Sequence, residues 1–346
     1  MKANLEIYFK KRAAKTVLFY ALLFLLFGCH SEQQYQTISG YTMGTAYHIT
    51  LESDIELAAE VRHKIEKRLQ TINQLMSTYI DDSELSIFNR TETMDCFAVS
   101  EETYEVVEIS IAISGETSGK FDVTIAPLIS EWGFDKKQTN DQVPREKKIE
   151  SLLKQVGYNK LKLGTNCIAK EIGSLSINLS AIAKGYGVDQ VAALIELSEI
   201  KNYLVEIGGE TASKGVNAKG NIWRLAIEAP IEQHRKIQTV FSPKGLGVAT
   251  SGDYRNYFEK DGVRFSHTID PTTGKPITHS LASVTVLHEK TMVADAYATA
   301  FMVMGKELTL EFAKQHNLPV YLLVEIDNRF EAFYSAQFSQ YLVNKE

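Results

Sequence analysis

Hydrophobic positions along this chain follow two periods, and each marks a kind of element. From 55 to 76, apolar side chains recur at Leu57, Val61, Ile65, Leu69, Ile72 and Met76, the spacing of one helix face. Ser100 followed by Glu101 and Glu102 opens a second helix through Ile113, with a hydroxyl to cap it and acids facing the positive end of its dipole. Segments 145–156, 180–197, 293–304 and 306–316 are also read as helices. Strands are expected within 35–51 and over 174–178, 203–207, 223–228, 247–250, 265–269 and 283–287, where alternating or β-branched residues lie between turn residues. Segments 320–324 and 329–334 form a closing hairpin about Asp327-Asn328. Strands occur singly with helices in places and in consecutive runs in others. That predicts an α+β fold with mixed or antiparallel sheets and packed helices, not a doubly wound one. Segment 131–146 is the longest polar stretch and reads as a surface loop.

The start of the chain fits neither period. Lys2, Lys10, Lys11, Arg12 and Lys15 precede an unbroken apolar run of eleven residues, 17–27. At about 1.5 Å per residue the run reaches ~16 Å, half of a hydrocarbon core of roughly 30 Å. This is the pattern of a secretory signal, not of a spanning helix. The run leads into Gly28-Cys29, and a cysteine at the cleavage point resembles a bacterial lipoprotein signal in which Cys29 carries the lipid. Phe27 is bulkier than the small residue usual there, and a plain secretory signal followed by a chance cysteine fits the same stretch. The expected organisation is a signal at 1–28, a polar tether at 29–34 and one domain at 35–346. That domain would be exported and held by lipid at the periplasmic face of the cytoplasmic membrane.

The formal net charge is −6 over 346 residues and becomes more negative once the basic leader is removed. This argues against nucleic acid as a partner. It also means that an anionic ligand must be held by local groups. Cys96 and Cys167 are too few for a disulfide scaffold, and either a pair or two free thiols fits.

Two motifs carry the chemistry. In Ala294-Asp-Ala-Tyr-Ala-Thr-Ala300, Asp295 and Thr299 stand at i and i+4 on one helix face. A carboxylate and a hydroxyl suit a hard cation such as Mg²⁺. The same pair also fits an acid near a helix start and a threonine bonded to its own i−4 carbonyl. In Asn178-Leu-Ser-Ala-Ile-Ala-Lys184-Gly185, Asn178 or Ser180 can cap a helix whose early turns carry Lys184. A lysine at that end opposes the dipole, which points to an external anion such as a phosphate. A solvated surface lysine is the plain alternative.

Other features are weaker. Phe121 could stack on a flat ring, and Asp122 could accept from ring or ribose donors, although the composition there favours an ordinary element junction. Gly208-Gly209 permits close backbone approach, and Met43-Gly44-Thr45 fits a bulge equally well. His267 is either a general base or a structural histidine. Zinc-ligand spacing, a G-x-S-x-G elbow and a P-loop are absent from the sequence. The residues alone therefore suggest a phosphate-bearing ligand held together with a divalent metal.

In order, MGT at Met43, STY at Ser77, SELSIFN at Ser83, GKFDVTIAPL at Gly119 with WGF at Trp132, AIAKGYGVD at Ala181, EIGGE at Glu206, ATSGDY at Ala249, SHTIDPTTGKP at Ser266 and ADAYATA at Ala294 resemble the ApbE family of FAD:protein FMN transferases. The resemblance implies a T-fold-like α+β domain that moves FMN from FAD to a threonine or serine of a target protein and releases AMP. It implies that Met43, Tyr79, Lys120, Phe121, Asp122, Asn178, Lys184 and Ile269 line the FAD site. It also implies that the Ala181 carbonyl, Asp295 and Thr299 ligate Mg²⁺. Asn178 departs from the family, which more often has aspartate there, so a charge is lost. His267 is then the candidate base for the target hydroxyl. Two rival readings are an FAD pyrophosphatase, in which water replaces the target hydroxyl, and a lipoprotein that only binds flavin.

Overall fold

The computed structural model describes residues 34–135, 143–230, 236–253, 257–260, 263–327 and 329–343. The leader with Cys29, the tether through residue 33, and Tyr254, Arg255 and Asn328 lie outside the described residues. Among the described residues the principal sheet has eight strands. In spatial order these are β1 (Tyr35–Thr42), β2 (Thr45–Glu52), β6 (Tyr203–Ile207), β7 (Glu210–Lys214), β10 (Gly247–Gly252), β15 (Leu281–His288), β16 (Val320–Ile326) and β17 (Arg329–Tyr334). Every neighbouring pair is antiparallel. Smaller, separate sheets are also present among the described residues. They are β3 (Phe97–Ala98), β4 (Leu161–Gly164) and β5 (Cys167–Lys170), and the pairs β8 (Leu225–Glu228) with β9 (Ile237–Phe241), β11 (Tyr257–Lys260) with β12 (Val263–Ser266), and β13 (Ile269–Asp270) with β14 (Lys275–Pro276).

Helices cover the sheet because their apolar stripes match its apolar face. Helix α1 (Ile55–Met76) starts where Asp54 accepts from the Leu57 N–H at 2.7 Å. It buries Ala58, Val61, Ile65, Leu69, Ile72 and Met76, and most of that stripe meets Ile38, Ile49 and Leu51 of the sheet. Each fully buried Ile or Leu contributes ~1.5–3 kcal/mol. Short α2 (Glu84–Arg90), α3 (Glu101–Glu116), α4 (Ala126–Glu131) and α5 (Glu146–Leu153) follow. Helix α6 (Ala183–Leu197) then packs beside α7 (Thr291–Gln315). Strand β15 is buried along nearly its whole length, because α7 covers one face and the Phe241–Phe338 cluster the other.

Two junctions set up the site. A side chain on Gly185 would lie 2.5 Å from the Thr291 carbonyl oxygen and 2.6 Å from the Met292 Cα, so glycine lets the start of α6 touch the start of α7. Gly208 and Gly209 form a two-residue turn with φ of 63° and 109°, pairing Ile207 directly with Glu210. Positive φ at both central residues is what such hairpins require.

The structure departs from the sequence expectation in several places. Segment 174–178 lies in no sheet, with Ser174 in a turn and 175–178 without regular secondary structure. The Asn89 amide takes both backbone groups of Ile177, at 2.8 Å each, and Asn178 N–H donates to the Val123 carbonyl. A side chain has replaced the strand partner. The expected helix at 180–197 begins at Ala183. Neither Asn178 nor Ser180 caps it, since Asn178 Oδ1 accepts instead from Ser180 N–H within the preceding turn. The expected strand at 265–269 is broken at His267–Thr268. The predicted interruption at Gly305 is present, with φ 76° and ψ 179° between two helical stretches. Cys96 and Cys167 are disulfide-bonded, with Cα atoms 5.4 Å apart. Among the described residues no helix is long and apolar enough to cross a membrane.

Candidate functional site

Three stretches distant in sequence meet at Lys184. Its Nζ lies 3.0 Å from Glu210 Oε1 and 3.3 Å from Asp295 Oδ1. The Gly185 N–H, an orphan donor of the first turn of α6, donates to Asp295 Oδ2 at 3.0 Å. The positive end of α6 therefore faces a protein carboxylate, and Lys184 is paired with two acids beside a cavity instead of standing as a solvated surface lysine. Burial works to lower the Lys184 pKa, but Asp295 and then Glu210 outweigh it and the net shift is upward. Burial, reinforced by the charge of Asp295, pushes Glu210 up to about 7 despite the lysine. Glu210 Oε2 is buried and has no hydrogen-bond partner among the described residues.

A cavity of about 430 Å³ opens over this cluster. Lys184, Glu210, Asp295, Thr299 and Ala181 line one side, and Ile125, Ile129, Phe134 and Ile269 supply an apolar side. Lys120, Phe121, Asp122, Asn178 and His267 complete the lining, with Tyr79 exposed at its edge. A second cavity of about 580 Å³ is lined by Met43, Ile72 and Met76, and shares Tyr79, Ser180 and Lys184 with the first. Eleven of the twelve site residues read from the sequence within the described chain therefore line the first cavity, and Met43 lines the second.

Position does not give each of them the expected role. Phe121 is 2% exposed, so its ring belongs to the core and offers a ligand little of its face. Asp122 is also buried. Its Oδ1 accepts from Thr124 N–H and Oγ1–H at 2.8 and 2.6 Å, and its Oδ2 from Tyr158 N–H at 2.8 Å. Burial raises its pKa in spite of these bonds. Its carboxylate serves the loop, leaving little capacity for ring or ribose donors. Lys120 pairs with Asp270 at 2.9 Å and donates to Thr272 Oγ1 at 3.0 Å. His267 stands edge-on to Phe134, with ring centroids 6.3 Å apart. Glu210 was not singled out by the sequence reading. A signal did exist, since it follows the two-glycine turn and its strand position is buried.

Could a cation fit here? The Ala181 carbonyl, Asp295 and Thr299 offer oxygen only, as Mg²⁺ prefers. Two carboxylates share one lysine, which favours added positive charge, and the partnerless Glu210 oxygen lies in the same cluster. No set of three or more His, Cys, Asp or Glu among the described residues could form a protein cage. That absence suits an ion that keeps waters and substrate phosphates as ligands. The donor set fits.

Comparison with known proteins then decides the family. Residues 43–322 match the ApbE family. The chain belongs to the ApbE family. An FAD:protein FMN transferase from Vibrio cholerae is 43% identical over 324 residues, covering 93% of this chain and 97% of that protein. The solved structure of the flavin transferase ApbE from Vibrio cholerae has a TM-score of 0.84 at 40% identity, covering 90% of this chain and 100% of that one. The apo flavinyl transferase ApbE of Pseudomonas stutzeri gives 0.83 at 32% identity, with coverage of 91% and 98%. The α+β architecture is thus that of the ApbE fold, and the ApbE match includes every cavity residue named above.

Proposed function

We infer that this chain is an FAD:protein FMN transferase, moving FMN from FAD to a threonine or serine hydroxyl of a target protein and releasing AMP. The observation that carries the reading is the pair of cavities meeting at Lys184. FAD has two ring systems joined by an anionic pyrophosphate. Two chambers with a shared cationic residue suit that shape, and both volumes lie in the range of small-molecule sites.

In this reading the target oxygen attacks the phosphorus on the flavin side of the pyrophosphate. A new P–O bond forms there, and the bond to the AMP phosphate oxygen breaks. Such a reaction needs positioning and charge neutralisation more than covalent help. Lys184 supplies fixed positive charge, oriented by Glu210 and Asp295 before substrate arrives. The apolar side formed by Ile125, Ile129, Phe134 and Ile269 orients a ring and excludes water. His267, held outside the strand ladder at the break between β12 and β13, takes the proton of the attacking hydroxyl. The Ala181 carbonyl, Asp295 and Thr299 would hold Mg²⁺. When bound, the metal supplies Lewis-acid polarisation of pyrophosphate oxygens.

We further propose that the protein is exported and lipid-anchored through Cys29 at the periplasmic face. The charged and apolar leader supports this. So does the Cys96–Cys167 bond, since disulfides persist in oxidising compartments.

The deciding experiment incubates the protein with FAD, Mg²⁺ and a threonine-bearing target peptide, followed by mass spectrometry. Labelled peptide plus AMP is expected. Free FMN plus AMP with unlabelled peptide would make it a pyrophosphatase, and intact FAD would make it a flavin carrier.

A further inference from the structure

We propose that Glu210 is a positioning residue: it holds Lys184 back from Asp295 and so keeps the Asp295 carboxylate open to a divalent cation. The proposal rests on the transferase reading above.

The geometry carries the argument. The Lys184 ammonium is closer to Glu210 Oε1, at 3.0 Å, than to the two Asp295 oxygens, at 3.3 and 3.5 Å. Glu210 can hold it there because its own place is fixed. It is the first residue of β7, paired with Ile207 across the two-glycine turn, and is 2% exposed. The two-glycine turn also passes near the aliphatic part of Lys184, since a side chain added at Gly208 would stand 3.4 Å from Lys184 Cδ. Among the described residues the second Glu210 oxygen has no donor, and Lys184 is the side chain that the first one engages.

Without the Glu210 charge, Asp295 is the one carboxylate among the described residues left to pair with Lys184. An ammonium seated on Asp295 competes with a cation for the same oxygens. Burying a carboxylate with an unpartnered oxygen is costly, and a purely architectural role would be filled as well by a neutral side chain. Orientation of a ligand by a neighbouring group commonly matters 10–100-fold for metal affinity.

The test is calorimetric titration of the flavin-free, signal-less domain with Mg²⁺ alone, so that no turnover is involved. E210Q should bind Mg²⁺ about 10–100-fold more weakly than wild type. E210D, which restores the charge at a shorter reach, should fall between them. In a K184M background, where no lysine remains to be held back, adding E210Q should change affinity by less than about threefold, because the coupling runs through Lys184. Thermal melts report whether each variant is folded, and E210D carries the test if E210Q is not. The proposal is overturned if a folded E210Q or E210D binds Mg²⁺ as wild type does. It is also overturned if E210Q weakens binding equally with and without Lys184. Wild-type protein that binds no Mg²⁺ would remove the cation site itself and the positioning role with it. Transfer activity measured alongside separates that result from failure of the transferase reading.

Discussion

The two sides of the main cavity are built differently. On one side, Lys184, Glu210, Asp295 and the Gly185 N–H bind one another, and each comes from a buried element end. On the other side, Ile125, Ile129, Phe134 and Ile269 offer shape, and the polar groups nearby are engaged among themselves, as Lys120 is with Asp270. The charged side is organised before any ligand arrives, so a change there should strike the chemical step. The apolar side offers area, so a change there should strike affinity. Substitutions on each side can separate the two effects.

The largest effect is expected from Asp295→Ala. It removes the carboxylate proposed to hold the cation and leaves the Gly185 N–H unpaired, so FMN transfer should fall by about 10³-fold or more. Circular dichroism should still report a folded protein. Near-normal transfer would defeat the metal assignment. His267→Ala should lower transfer by about 10²-fold while FAD affinity, read by fluorescence, changes little. Equal losses in both would make His267 a binding or structural residue.

Acidity gives the next handle. Glu210 has a folded pKa of about 7 against an ordinary 4.5, so the folded state holds this proton more tightly than the unfolded one. Its contribution to stability is fullest below about pH 4.5 and declines as pH rises towards 7, by up to ~3 kcal/mol. Metal-free wild type should lose stability relative to E210Q between about pH 5 and about pH 7. A constant difference between the two would show that the carboxylate is already ionised throughout. The smallest effect belongs to the apolar side. Ile129→Ala should weaken FAD binding roughly tenfold, about 1.4 kcal/mol, and leave the rate from bound FAD nearly unchanged.

Much of the framework was legible because local pattern and tertiary role agree. The stripe from Val61 to Met76 reads as helical and is buried as one face of α1. Asp270-Pro271 with Gly274 is a turn signature in the sequence, and the turn closes with a 2.8 Å bond from Gly274 N–H to the Asp270 carbonyl. Segment 174–178 misled for a physical reason. Leu175, Ile177 and Leu179 alternate inward as in a strand, and periodicity reports burial, not what satisfies the backbone. Here that partner is the side chain of Asn89, 88 residues away. The same limit hid Glu210. Its motif, EIGGE, was visible, but the fact that matters is its proximity to Lys184 and Asp295, and spacing along one chain cannot encode a meeting of three separate elements. The Asp295–Thr299 pair was readable because both residues sit on one helix.

The sequence distance between Lys184 and Asp295 also orders events during synthesis. The helix bearing Lys184 ends at Leu197, 98 residues before the carboxylate that receives its Gly185 N–H. Non-local closures of this kind come late in folding. A chain that lacks its C-terminal third therefore holds Lys184 with Glu210 alone, and the start of the helix has no carboxylate from Asp295 to close on.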